Sequence, residues 1–381
     1  MKKNKIVESK WDSFYLRGKG IPKGCKLCLQ GKKTVLFLNG LCQNPQHCYW
    51  YCPISEERKN KDLGFANEIP LISKLDLLQE INISRSSGIG ITGGDPLFGL
   101  NIKKTIDYIR YVKKNKGKRF HIHLYTNGLN FNEEIAQKLA DAGLDEIRFN
   151  PPRESWNNIK FALNKGMKVG AEVPAIPDVA SIKDLEELIY FLDEIGADFI
   201  NINEFEYCMP NSEYLKERGY FLQNGSIASV KNSKKAALDL IHKVVNKVNL
   251  KIHLCSVLTK DFWQLSMRYN RRARSIKRSF EKITEEGLLI YASVEGNEQK
   301  LELIKNFLIV DMKIPQKLFE VRNNEIDFSV SLALNENFQE FALNYSLKIN
   351  IIETTPFIEK RYRQITEKTP IDVFKDELEI T

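Results

Sequence analysis

The stretch LNGLCQNPQHCYWYCPISEER, residues 38–58, sets Cys42, Cys48 and Cys52 within eleven positions, with aromatic residues between the last two. It follows a short apolar run, TVLFLNG (34–40). The next apolar run, GIGITGG (88–94), leads into a Gly-Gly-Asp-Pro turn. Three thiols on one loop leave a tetrahedral ion one ligand short, because a structural zinc site is closed by four protein ligands. An iron–sulfur cubane normally takes four thiolates as well. A cluster held by three keeps one iron open to a small molecule.

Outward from this loop, apolar runs alternate with amphipathic segments. RFHIHLYTNG (119–128), DEIRFNPP (145–152), KVGAEVPAIP (168–177), DFININ (198–203) and LKIHLC (250–255) read as further strands ending in turn-forming residues. SIKDLEELIYFLDEIG reads as a helix with Ser181 as N-cap and Gly196 as its stop. NEEIAQKLADAG repeats the plan with Asn132 and Gly143. Strand–helix–strand units in series predict an α/β chain with a parallel sheet covered by helices, closed or open, and ligands at the carboxyl ends of its strands. If strand alternation holds, Asn201 and Asn203 face one side together, and with Glu172, Glu204 and Glu206 they are candidates to line a cavity there. The nearest alternative is that they tie neighbouring loops together.

The loop, its Tyr51 just before the final cysteine, and the ITGGDP turn resemble the radical S-adenosylmethionine (SAM) superfamily. The usual spacing there is C-x3-C-x2-C; here it is C-x5-C-x3-C. The resemblance implies a partial (β/α) barrel of parallel strands. It also implies a [4Fe-4S] cluster held by Cys42, Cys48 and Cys52, with SAM chelating the fourth iron. Tyr51 then lies near the adenine, Gly93, Gly94 and Asp95 hold the methionyl amino group, and Thr126 and Asn127 of TNG lie close to the cofactor. Without the cysteines, Gly93 to Pro96 would read as an ordinary strand-end turn. The likeness runs from about residue 20 to residue 280, including AEVPAIP, NINEFE and HLCSVLTKDFWQ. There it is similar to archaeal radical enzymes related to the pyruvate formate-lyase activating enzyme. It implies one-electron cleavage of SAM to a 5′-deoxyadenosyl radical that abstracts hydrogen from a substrate. An electron donor such as ferredoxin or flavodoxin is implied too. The substrate stays open: a small molecule or cofactor precursor, or a macromolecule such as a tRNA base or a glycyl-radical-type protein partner. A non-catalytic, zinc-stabilised nucleic-acid-binding protein is the third reading.

The chain has 381 residues, 43% hydrophobic and 28% charged, with a net charge of +8. That is an ordinary soluble composition, compatible with an acidic partner such as RNA. The basic start, MKKNKIVESKW, is not followed by an apolar run, and no run reaches the roughly 18 to 20 residues of a membrane span. A cytoplasmic location without membrane contact is expected.

Five of the seven cysteines lie between positions 25 and 52, which in a reducing compartment favours metal ligation over disulfides. GCKLC carries Cys25 and Cys28 at C-x2-C spacing, half of a metal knuckle. With Cys208 and Cys255, which follow the sixth and seventh strands, they are candidates for a second site, zinc or an auxiliary iron–sulfur cluster. Cys25 and Cys28 precede their strand, though, near the opposite end of the sheet. Buried thiols without a metal are the alternative. His121 and His123 read as packed and hydrogen-bonded residues rather than metal ligands.

After Cys255 the pattern changes. KDFWQLSMRYNRRARSIKRSFEKI reads as one long basic helix whose stretch 268–278 could neutralise RNA phosphates or simply face solvent. GLLIYASVEG, NEQKLELIKNFLIV, LFEVRNNEIDFSVSL and YSLKINIIET suggest a small α+β domain. The expected organisation is an extension with the C-x2-C pair (1–32), the barrel core (33–260), the basic helix (261–283) and the α+β domain (284–381).

Overall fold

Seven apolar runs become seven parallel strands: β1 Lys33–Phe37, β2 Gly88–Thr92, β3 His121–Thr126, β4 Glu146–Phe149, β5 Lys168–Ala175, β6 Phe199–Glu204 and β7 Lys251–Cys255. Each pairs in parallel with the next, from β1 through β7. The computed structural model describes residues 5–9, 11–44, 46–322, 324–359 and 361–377. These fall into two compact units, residues 1–82 with 86–264, and residues 83–85 with 265–381.

In the larger unit the crossovers are helices, as parallel strands require. They are α2 Lys74–Ile83 (its last residue counted with the smaller unit), α3 Asn101–Lys116, α4 Glu133–Ala142, a 3₁₀ segment Arg153–Ala162, α5 Val179–Glu194 and α6 Ser233–Val244. A short helix, α1 Lys23–Leu29, precedes β1. The Asn132 side chain caps α4 by accepting from Ile135 N, and Gly143 ends it at φ 95°. The cap of α5 is not Ser181 but Asp178, whose carboxylate accepts from Ser181 N. The buried apolar face begins only at Ile182, because Val179 and Ala180 of the first turn are exposed.

The barrel is partial. An antiparallel hairpin, Ile6–Glu8 and Ser13–Leu16, covers the β7 edge, and short antiparallel strands Phe65–Ala66 and Ile69–Pro70 cover the β1 edge. Alternation sorts each strand's side chains. On β3, Ile122 and Leu124 join the apolar core beneath the helices, whereas His123 and Tyr125 line the lumen. Branched apolar side chains usually fill such an interior. Here polar and charged ones do.

The smaller unit holds β8 Leu289–Glu295, β9 Phe319–Arg322, β10 Glu325–Phe328, β11 Ile349–Thr354 and β12 Ile365–Pro370, all antiparallel in the order β9-β10-β8-β11-β12. With α8 Glu298–Asn306 after β8 and α9 Glu336–Asn344 before β11, its first four strands follow the split β-α-β-β-α-β arrangement. The basic helix is shorter than its sequence suggests. A π-helical turn, Leu258–Gln264, belongs to the larger unit, and α7 spans only Leu265–Ile276 of the smaller one. The arginines of the 268–278 stretch are partly used within their own unit: Arg272 Nε, on α7, donates to Pro356 O at 2.7 Å, and Arg278, beyond its end, pairs with Glu320 at 3.0 Å.

Candidate radical site at the carboxyl ends of the strands

The loop after β1 is fastened to the β2 turn by backbone and asparagine contacts. Gly94 N donates to Asn39 O and Asp95 N to Leu41 O. Asn101, at the start of α3, donates to Asp95 O and accepts from Asn39 Nδ2 at 2.7 Å. This close approach demands glycine. A Cβ on Gly93 would collide with Asn39 O, and one on Gly94 with Leu41 O; Gly93 also adopts φ +140°. The Gly-Gly pair is therefore more than a turn.

The Asp95 carboxylate faces inward. It accepts from Leu97 N, Thr126 Oγ1 and Asn127 N at 2.7 to 3.1 Å, locking the β2 turn to the TNG turn after β3. Burial raises its pKa against those bonds. Asn127 in turn donates to Gln43 Oε1 at 2.7 Å, and the Cys42 thiol donates to the same oxygen at 3.0 Å. Trp50 and Tyr51 pack edge-on against Phe205 after β6, and Asn211 Nδ2 reaches Tyr51 O, so the far end of the loop is anchored as well.

Between these anchors lies a cavity of about 750 Å³ lined by all three loop cysteines, Tyr51, Gly93, Gly94, Asp95, Thr126 and Asn127. The Cys48 and Cys52 thiols share a hydrogen bond that raises the first and lowers the second to about 7. Burial, then the Asp95 charge, pushes Cys42 up to about 12. Among the described residues no three His, Cys, Asp or Glu side chains close around one metal ion. Three thiolates on separate irons of a cubane do not need to. The cavity wall also carries two buried polar atoms without partners, Gln46 Oε1 and His47 Nε2. Thiols, glycine cradle and orphaned polar atoms on one wall fit a cluster with a polar ligand beside it.

Deeper in the barrel a second cavity, about 250 Å³, shares Thr92, Tyr125, Glu172, Asn203 and Lys260 with the first. An ion network forms its wall. Arg148 pairs with Glu146 and, at 2.5 Å, with Glu172, whose carboxylate also accepts from Asn201 and Asn203. Burial would raise Glu146, but Arg148 and His121 outweigh it and hold the carboxyl at about 2. Burial lowers the Lys33 ammonium to about 7 and His253 to about 4. The floor is α1, where Gly24 N donates to Glu146 and the absent side chain leaves room for Arg148 and His123.

This floor corrects the reading of the remaining cysteines. α1 brings Cys25 and Cys28 into the lumen, where Cys255 joins them; Cys208 lines neither cavity. The four thiols are therefore not brought together on one cavity wall. His121 and His123 are packed side chains, His121 against Glu146 and Lys33. Asn39, Asn101, Gln43 and Lys260 escaped the sequence reading, being single polar residues in loops or a helix start. Glu146 and Arg148 left a signal: opposite charges on the same face of an otherwise apolar strand.

The Radical SAM superfamily model matches residues 42–173, from the first loop cysteine into β5. A protein of Methanocaldococcus jannaschii named "Putative glycyl-radical enzyme activating enzyme" is 36% identical over 323 residues, 81% of this chain and 80% of the relative. The chain belongs to the radical SAM superfamily. A second relative of this radical SAM protein, a "Probable GTP 3′,8-cyclase" of Methanococcus aeolicus, is 28% identical over 188 residues, 46% of this chain and 59% of the relative. Among solved structures, SuiB of Streptococcus suis bound to S-adenosylmethionine aligns with TM-score 0.38 and 11% identity, covering 59% of this chain and half of SuiB. Coproporphyrinogen III oxidase of Escherichia coli aligns with TM-score 0.35 and 9% identity, covering 81% of this chain and 90% of that one. No helix among the described residues is long and apolar enough to cross a membrane.

Proposed function

We propose that Cys42, Cys48 and Cys52 hold a [4Fe-4S] cluster, and that the chain uses it to cleave SAM and abstract hydrogen from a polar substrate seated where the two cavities meet. The observation that carries this reading is one cavity bounded by all three loop thiols, the Gly93-Gly94-Asp95 turn and the Thr126-Asn127 turn. When bound, cluster and SAM supply a one-electron cleavage that yields a carbon radical. The chain's own residues position and shield. Asn39 and Asn101 fix the loop against β2, and Tyr51 offers a ring beside the space for adenine. Gln46 and His47 offer unpartnered polar atoms to the same cavity, and Asp95 holds two turns in register. Glu172, Asn203 and Lys260 would orient the substrate. An electron donor of the ferredoxin or flavodoxin class would feed the cluster.

A small polar molecule is the favoured substrate because the deeper cavity is narrow, polar and floored by α1. The second reading, hydrogen abstraction from a glycyl-type protein partner, draws on the name of the Methanocaldococcus relative. RNA modification through residues 268–278 has less support, since Arg272 and Arg278 are engaged within their own unit.

Anaerobic reconstitution with iron and sulfide, then dithionite and SAM, tests the proposal. We expect iron–sulfur absorption and 5′-deoxyadenosine from the wild type, both lost in Cys48→Ala and both kept in Cys208→Ala. Zinc in place of iron, or a cluster whose electron paramagnetic resonance spectrum ignores added SAM, would overturn it.

A further inference from the structure

Three thiols outside the cluster loop face the lumen below the radical site: Cys25 and Cys28 from α1, and Cys255 from the end of β7. They come from two elements more than two hundred residues apart in sequence. All three line a cavity that shares a wall, Thr92, Tyr125, Glu172, Asn203 and Lys260, with the one holding the loop cysteines. Cys255 is tied to that shared wall. Its β-partner is Asn203, a residue of both cavities, and Lys260, another, acts on it electrostatically. Cys28 is half-buried, the most exposed of the three, and acts electrostatically on both Cys25 and Cys255.

Among the described residues these thiols do not close around one ion, and the ion network does not require thiols. What distinguishes S–H from the O–H and N–H groups around it is bond strength. A carbon radical takes hydrogen readily from a thiol and not from water, an alcohol or an ammonium group. Such a donor must keep its proton. Burial drives Cys25 well above its ordinary value and Cys255 up to about 12, so both stay S–H at neutral pH.

We propose that Cys255 donates a hydrogen atom to the substrate radical, with Cys25 and Cys28 as the thiol reserve that restores it. The inference rests on the function proposed above. The Cys255 S–H bond breaks homolytically and a C–H bond forms on the substrate carbon, leaving a sulfur radical. Hydrogen-atom exchange with Cys28 moves that radical to the most exposed of the three thiols. There one electron from a low-potential one-electron reductant and one proton from solvent regenerate the thiol. The product leaves closed-shell and carries a hydrogen that came from the protein.

SAM itself serves as probe in the absence of an identified substrate. Holoenzyme equilibrated in D₂O, in thiol-free buffer, is reduced with dithionite and given SAM. In the empty lumen Cys255 is the hydrogen source at hand, so we expect 5′-deoxyadenosine heavier by one mass unit. The shift is lost in Cys255→Ala and Cys255→Ser, whose hydroxyl cannot donate, and kept in Cys208→Ala. In Cys28→Ala the first turnover keeps the label while later turnovers slow. In cluster-free protein, iodoacetamide should alkylate Cys255 far more slowly than Cys208. Unlabelled 5′-deoxyadenosine from the wild type, label that persists in both Cys255 variants, or equal alkylation of Cys255 and Cys208 each overturns the inference while leaving SAM cleavage standing. No 5′-deoxyadenosine at all means that the function proposed above has failed, and this inference with it.

Discussion

A methyl group on Gly94 has nowhere to go, because its neighbours are the backbone atoms of Leu41 and Gly40 rather than a side chain that could swing aside. Overpacking of this kind costs about 1–3 kcal/mol, and here it falls on the start of the cysteine loop. Gly94→Ala should lower the urea midpoint by a corresponding amount and weaken SAM binding to the reconstituted protein, measured by calorimetric titration. A variant with wild-type affinity would show that the loop does not depend on that contact. The three cysteines stand out in the sequence by residue type and closeness, and Gly93 and Gly94 only through the resemblance that the cysteines bring with them. The role of the Asp95 side chain was not legible there. Its partners, Thr126 and Asn127, lie some thirty positions away, and only the pairing of β2 with β3 brings the two turns together. The fold shows at Asp95 a carboxylate that clamps two turns.

The seven parallel strands were readable because each is an apolar run ended by turn residues, and the helices between them because they are long enough to show a period. α1 was not. Seven residues with a glycine in the first turn carry no periodic signal, and its C-x2-C pair suggested a metal knuckle instead. The helix does something else: it closes the barrel floor, and Gly24 is the point of contact. A Cβ there would meet Arg148, His123 Nδ1 and Glu146 Oε1, all members of the buried network. Gly24→Ala should therefore lift the N-terminal turn of α1 and expose Cys25. We expect faster alkylation of Cys25 by iodoacetamide and a stability loss of about 1–3 kcal/mol, with Lys26→Ala, on the exposed side of the same helix, as a neutral control. Unchanged Cys25 reactivity in Gly24→Ala would mean that α1 is not the plug.

At the scale of the whole molecule, a lumen built from charges makes stability depend on pH, and the signs can be worked out group by group. Lys33 has a folded pKa of about 7 against an ordinary 10.5, so between those values the unfolded chain binds more protons and stability rises with pH. His253, about 4 against 6.5, gives the same sign between pH 4 and 6.5, and Glu146, about 2 against 4.5, gives it between pH 2 and 4.5. The buried thiols act in reverse. Cys42 and Cys255 keep their protons up to about pH 12 while unfolded thiols ionise near 9.0, so stability falls as pH rises through that interval. The four tryptophans, Trp11, Trp50, Trp156 and Trp263, all lie in the larger unit, so their fluorescence reports on the barrel and not on the smaller unit. For cluster-free protein, the urea midpoint followed by tryptophan fluorescence should climb from pH 4, peak between pH 7 and 9, and decline beyond. Lys33→Met should flatten the rise above pH 7 and leave the acid limb intact. A midpoint that peaks below pH 6.5 would mean that the histidines and Lys33 are hydrated rather than buried. The polar lumen would then be an open channel instead of the enclosed chamber in which a radical could be held.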